Sequence, residues 1–167
     1  MFSKPTIVKP LWFWGMYLGR AFRQRYWMGL VQGAVRASGT TASPVGHLHA
    51  AERLNRVLFR KTANERFVTL FWCYFNASEG ILRYINAGHW PPLLMRGGAH
   101  LTEVLRLERA GPVLGIVPGV AYEQVEVAVE TGDLLVVCSD GILEASDSQD
   151  QEFGEQRLIA AAQTELG

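Results

Sequence analysis

The stretch 134-LLVVCSDGILEAS-146 decides how this chain is read. Leu134 to Cys138 has the composition of a strand buried on both faces. It ends in Ser139-Asp140-Gly141, with a second acid at Glu144. A carboxylate at the end of a buried strand is costly unless something pairs with it. Asp140 with a glycine beside it is a common way to hold a hard cation against a sheet edge. The plainer alternative is a turn in which Gly141 takes a positive φ.

The residues before this strand alternate. In 122-YEQVEVAV-129 Val125, Val127 and Val129 share one face, and Gln124, Glu126 and Ala128 the other, as in a half-solvated antiparallel strand. Glu130 to Asp133, "ETGD", is the turn between the two strands. Further upstream, "RFVTLFWCYFNA", the turn "SEG" and "ILRYINAG" read as a hairpin of β-branched and aromatic residues. "PLLMR", Gly97-Gly98 and "HLTEVLRL" read as a second one.

Helical patterns flank the strands. Leu30, Val31, Ala34 and Val35 fall on one face before Gly39, over about three turns. Ser43 caps and Pro44 begins a stronger helix carrying Val45, Leu48, Leu54, Val57 and Leu58. A last helix, Gly154 to Ala162, presents Leu158, Ile159 and Ala162. Helices, then antiparallel strands, then a helix make an α+β layered fold.

Composition narrows the class. The 167 residues, 49% hydrophobic, fit one domain with a real core. The zero net charge hides an asymmetry: no Asp or Glu occurs up to Ala51, against six basic residues. Cys73 and Cys138 sit in apolar runs with no CxxC spacing, which points to buried thiols and a reducing cytoplasm. Leu11 to Leu18 is far shorter than the roughly 20 apolar residues needed to cross a bilayer, so no transmembrane segment is expected. An aromatic and basic anchor at a membrane surface, through Trp12, Trp14 and Trp27, is the weaker alternative to an irregular leader. The basic leader is not continued on any expected sheet face, which argues against nucleic acid.

Other motifs carry less. Asn86-Ala87-Gly88-His89 ahead of Trp90-Pro91-Pro92 places a His and an amide at a strand end, either at a site rim or as a polar bulge. His47 and His49, two apart on a helix, cannot face one ligand. Gly111, Gly115 and Gly119 lack the Lys-Ser or Lys-Thr of a phosphate cradle. There is no GxSxG elbow.

In order and spacing, "RFVTLFWCYFNASEGILRYINAGHWPPLLMR" followed by "GPVLGIVPGVAYEQVEVAVETGDLLVVCSDGILEASDSQDQEFGEQRL" closely resembles the PPM-type metal-dependent serine/threonine phosphatases, in the SpoIIE-like bacterial branch that controls sigma-factor switches. The resemblance implies an α-β-β-α sandwich with two Mn²⁺ or Mg²⁺ ions at one edge. It implies hydrolysis of a phosphoserine or phosphothreonine, on a regulatory partner of the anti-sigma antagonist type, by a metal-activated water. By the same resemblance Asp140, with Gly141, is the metal-ligating "DG" element, and Thr69, Asn86, Gly88 and His89 take supporting places near that edge.

The departures weigh as much. Residues 28–167 read as a partial PPM-type domain and 1–27 as an atypical basic and aromatic leader, where the family has an aspartate strand and an Asp-x-x-Gly-x-Gly turn. A late Asp-Asp motif is also missing. Three readings follow: a gene fragment truncated at both ends, a catalytically inactive interaction module of the same fold, or a site rebuilt from Asp133, Glu144, Asp147 or Asp150. The first is preferred, because the acid-free leader ends where the resemblance begins.

Overall fold

The computed structural model describes Gly33 and residues 44–62, 67–97, 100, 102–108 and 110–166. The leader, and the helix expected from Met28 to Ser38 except for helical Gly33, lie outside the described residues, as do Ser43 and the side chain of Val45.

Helix α1 spans Pro44–Thr62 and begins on the expected proline. It buries Ala51, Leu54, Asn55 and Leu58, the i, i+3, i+4, i+7 stripe of one helical face. Val57 was expected on that face but is 38% exposed. It lies a full 100° round the helix from Leu58, on the side carrying Arg53, Arg56 and Arg60.

Both expected hairpins form. Strands β1 (Leu70–Asn76) and β2 (Ile81–Ala87) pair antiparallel from Leu70 opposite Ala87 to Asn76 opposite Ile81. Strand β5 (Val125–Ala128) adds to β2, giving the order β1-β2-β5. It shows the predicted alternation, with Val125 and Val127 half-buried and Glu126 and Ala128 exposed. Strands β3 (Leu93–Arg96) and β4 (Glu103–Arg106) make the second hairpin, and β6 (Leu134–Val136) joins it in the order β4-β3-β6. The one-turn helix α2 (Asp140–Leu143) follows β6, and α3 (Gly154–Leu166) comes last, longer than the sequence pattern indicates.

The period of two along β1 and β2 builds the layers. Leu70, Trp72, Ile85 and Ala87 turn toward α1, where they join Ala51, Leu54, Leu58, Leu114 and Tyr122. Phe71, Cys73, Leu82 and Tyr84 turn the other way and meet Leu94 and Leu107 of the second sheet. Helix α3 is tied to that second sheet by a two-pronged pair between Arg106 and Glu155. The result is the expected α+β sandwich: helix, two antiparallel sheets, helix.

Strand β6 differs from its reading. Leu134, Leu135 and Val136 are only half-buried, and Cys138 just beyond the strand is the buried residue of the run. Strand β6 pairs with β3 on one side and has no strand on the other among the described residues, so neither face closes fully. The doubly buried strand is β3, whose central place leaves Leu93, Leu94 and Met95 at 0% exposure.

Burial also fixes the thiols. Cys73 lies between the sheets, and loss of solvent pushes its pKa up to about 12. Cys138 is raised by burial and then by the negative charges of Asp140 and Glu155. Since the thiolate is the reactive species, we expect neither cysteine to react with a disulfide reagent at pH 8 until denaturant is added. A fast-reacting thiol in the native chain would contradict this packing.

Candidate functional site

The registers bring one end of each sheet together. Leu70 opposite Ala87 closes sheet one, and Leu93 opposite Val136 closes sheet two. Thr69, Asn86, Gly88 and His89 leave from the first end and Asp140 from the second. The supporting residues picked out by sequence therefore do gather at one edge, with Asp140 among them.

Asn86 is the bracket. It sits at 0% exposure on the face of β2 that looks into the second sheet. Its Nδ2–H donates to the carbonyl of Leu107 at 3.0 Å, and its Oδ1 accepts the backbone N–H of His89 at 2.9 Å. Its own carbonyl accepts the N–H of Ala110 at 2.9 Å. A buried amide satisfied on both sides fixes a backbone better than an apolar side chain of its size. Asn86 lies in the regular pairing of β2, opposite Phe71, and its side chain fixes the backbone at His89.

Gly88 permits the turn. Its φ is +72°, and a Cβ there would stand 2.3 Å from Val113 Cγ1. The imidazole of His89 is 3% exposed, its Nδ1 lies 3.5 Å from Thr69 Oγ1, and its Nε2 is buried without a partner among the described residues. Burial lowers its pKa, and the nearby charge of Asp140 works in the opposite direction.

Asp140 opens α2 after an extended Ser139. Its carbonyl accepts the N–H of Glu144 at 2.8 Å, and its Oδ1 accepts the N–H of Gly141 at 3.1 Å. Gly141 is absent from the positive-φ positions, so the simple glycine-turn alternative fails. It is exposed, and a Cβ there would meet only Ser139 Oγ, at 3.8 Å. Its backbone is open to a ligand beside the carboxylate.

The other acids do not come to this edge as a ligand set. Asp133 closes the β5–β6 turn at the opposite end, where its Oδ2 accepts the N–H of Glu130 at 3.0 Å and stands 3.8 Å from Arg96 Nη1. Asp147 Oδ1 accepts the N–H groups of Gln149 at 2.8 Å and Gln151 at 3.1 Å, which hold its pKa below the usual carboxylate range. Asp150 is the positive-φ residue of the same loop, and Glu144 is an exposed C-cap. Among the described residues no group of three His, Cys, Asp or Glu could hold a metal ion. The described residues do not fit a two-ion centre, and they give the rebuilt-site reading no support.

Sequence reasoning missed Asn55. It is 1% exposed and clamps the loop behind Gly88. Its Nδ2–H donates to the carbonyl of Val117 at 2.8 Å, and its Oδ1 accepts the N–H of Gly115 at 2.7 Å. The signal was present: Asn55 occupies the apolar face with Ala51, Leu54 and Leu58.

Residues 23–167 match the family described as Stage II sporulation protein E (SpoIIE). The chain is 34% identical over 95 residues to Protein IcfG of Synechocystis sp., covering 56% of this chain and 14% of that protein. It is 32% identical over 93 residues to phosphoserine phosphatase RsbU of Bacillus subtilis, covering 56% and 27%. It thus aligns with less than a third of either relative. Among solved structures, the SiaA-PP2C domain of Pseudomonas aeruginosa superposes with a TM-score of 0.59 at 18% identity, covering 81% of this chain and 51% of that one. The RsbU and RsbW domains of Rv1364c from Mycobacterium tuberculosis superpose at 0.58 and 20% identity, covering 81% and 34%. At these identities the two structures speak for the fold.

Proposed function

The chain belongs to the SpoIIE family, and on that premise we propose that it is a PPM-type protein serine/threonine phosphatase domain, impaired as it stands, whose substrate is a phosphorylated regulatory partner. The observation that carries this reading is the convergence of Asp140 with Thr69, Asn86, Gly88 and His89 at one sandwich edge, from segments far apart in sequence. The name of RsbU, a phosphoserine phosphatase, supports the substrate class. A partner of the anti-sigma antagonist type follows from the sigma-factor switches of this branch. A cytoplasmic setting belongs to the same proposal, supported by the two buried thiols. No helix among the described residues is long and apolar enough to cross a membrane.

The impairment follows from the donor set. Mn²⁺ and Mg²⁺ take several oxygen ligands, and this edge offers the Asp140 carboxylate with the open Gly141 backbone. On this reading the described residues alone do not complete a two-ion centre. What they do is hold one carboxylate at a fixed, half-buried position beside a rigid polar bracket.

Calorimetry with Mn²⁺ and turnover of a phosphoserine peptide test the reading together. We expect no tight Mn²⁺ binding and turnover at the background rate. Strong Mn²⁺-dependent turnover abolished by Asp140→Ala would show a working site and overturn the impairment. That no three-ligand group occurs among the described residues also favours a second reading, a non-catalytic interaction module. Equal affinity for phosphorylated and unphosphorylated partner peptides, unchanged by Asp140→Asn, would select it.

A further inference from the structure

We infer that the arginine face of α1 is a docking surface for a second copy of this chain, and that it takes the other copy's acidic segment between α2 and α3. Arg53, Arg56 and Arg60 form the basic half of the contact, and Glu144, Asp147, Asp150 and Glu152 the acidic half.

The basic half lies along one side of α1. Positions 53, 56 and 60 are three and four residues apart, which makes a row about 10 Å long. All three arginines are exposed. The arginines held in ion pairs among the described residues are others, Arg83, Arg96 and Arg106. Val57, 38% exposed, is four residues from Arg53 and three from Arg60, and so borders the row.

The acidic half is held in shape. Its four carboxylates are exposed, and no basic residue interrupts 144-EASDSQDQE-152. The segment folds on itself: the N–H of Asp147 donates to the carbonyl of Gln151 at 3.0 Å, and that of Phe153 to the carbonyl of Ala145 at 2.8 Å. A preformed loop loses little freedom on binding. Ile142, 48% exposed, stands just before it.

Layering keeps the two halves apart within one copy. Helix α1 packs on sheet one, whereas α3, at the far end of the acidic segment, is tied to sheet two. The chain before Ala51 is no match for the arginines, since it holds no acid and like charges repel. The acids of the sheets are engaged already, Glu79 and Glu126 by Arg83, and Glu103 and Asp133 by Arg96. Zero formal net charge removes the overall repulsion between copies. Exposed ion pairs are individually weak and screened by salt, so the contact is a moderate, salt-sensitive one to which Val57 and Ile142 add apolar area. Unlike surfaces meet in it, and assembly runs past a dimer unless a two-fold axis closes it. Asp140 opens α2 two residues before Ile142, which sets the contact beside the candidate edge.

Sedimentation of the full chain at rising concentration tests this without Mn²⁺ or a phosphopeptide. The mass should rise with concentration in about 0.05 M salt and return to that of a single chain in about 1 M, where the Debye length is about 3 Å. The combined Arg53→Glu, Arg56→Glu and Arg60→Glu variant should associate at least about tenfold more weakly, as should Glu144→Arg with Glu152→Arg. Mixed in equal amounts, the two variants should associate again, because each keeps the surface the other has lost. Circular dichroism checks that both fold, and if the arginine variant does not, the acid-side variant decides alone. A native chain that stays monomeric in low salt, or a variant that associates like the native chain, would overturn the inference. So would a monomer whose arginine face binds phosphatidylserine vesicles, which would assign that face to a membrane.

Discussion

Gly88→Ala lowers the stability of the chain by about 2–5 kcal/mol, the sum of two separate costs. At φ +72° a residue with a Cβ carries about 1–2 kcal/mol of backbone strain. The new methyl would also stand 2.3 Å from Val113 Cγ1, 3.1 Å from Val113 N and 3.2 Å from its Cα. The side-chain contact can be relieved by turning Val113, but the two backbone contacts cannot. Overpacking of this kind costs about 1–3 kcal/mol. Gly132→Ala separates the terms, because its φ is +96° with nothing within 4 Å of a Cβ. It should lose only the strain. Urea unfolding of both variants checks the difference, and equal losses would show that the Val113 loop yields freely. Because Gly88 lies between Asn86 and His89, the same substitution should disturb the bracket that holds the candidate site.

The hairpins were legible because alternation is a local property. Val125 and Val127 face one way whatever surrounds them, and the register of β1 with β2 follows from a short turn. Burial of β6 was not legible in the same way. A run of aliphatic residues describes what a strand tolerates, whereas burial depends on its place in the sheet. Leu134 to Val136 sits at an edge among the described residues, and Leu93 to Met95 is central. Asp140 was found through the spacing of a family pattern; periodicity alone would have left it as a turn. That Asp133 and Asp147 were already engaged in turns needed coordinates, since both spacings also suit a ligand. Asn55 was overlooked because a polar residue inside an apolar stripe is easily discounted as an interruption. Buried amides of this kind bind distant segments, and their partners lie too far along the chain to be read from it.

Asn55→Ala loses both hydrogen bonds that join α1 to the loop ending at Val117, some 60 residues away. Gly115 is itself buried, so its N–H is left without an acceptor, and the carbonyl of Val117 loses its donor. Stranding a buried group costs about 1–3 kcal/mol, which gives an expected loss of about 2–4 kcal/mol for the variant. The damage should spread along the loop. Leu114 is fully buried between α1 and sheet one, and its N–H and carbonyl pair with Val68 at 2.8 and 3.0 Å. Val113, one residue before, backs Gly88. Hydrogen exchange at the amides of Leu114 and Gly115 should therefore accelerate more than tenfold, since each 1.4 kcal/mol is a factor of ten. Asn55→Asp distinguishes the donor from the acceptor. It keeps an oxygen for the Gly115 N–H, removes the donor to Val117, and buries a carboxylate whose folded pKa must rise through desolvation. A raised folded pKa makes the variant less stable at neutral pH. Part of that loss returns as the pH falls through the raised folded pKa toward the unfolded value near about 4. Asn55→Ala has no group to titrate and should show no such recovery. If both variants follow the same pH curve, the clamp is not what holds the loop against the helix.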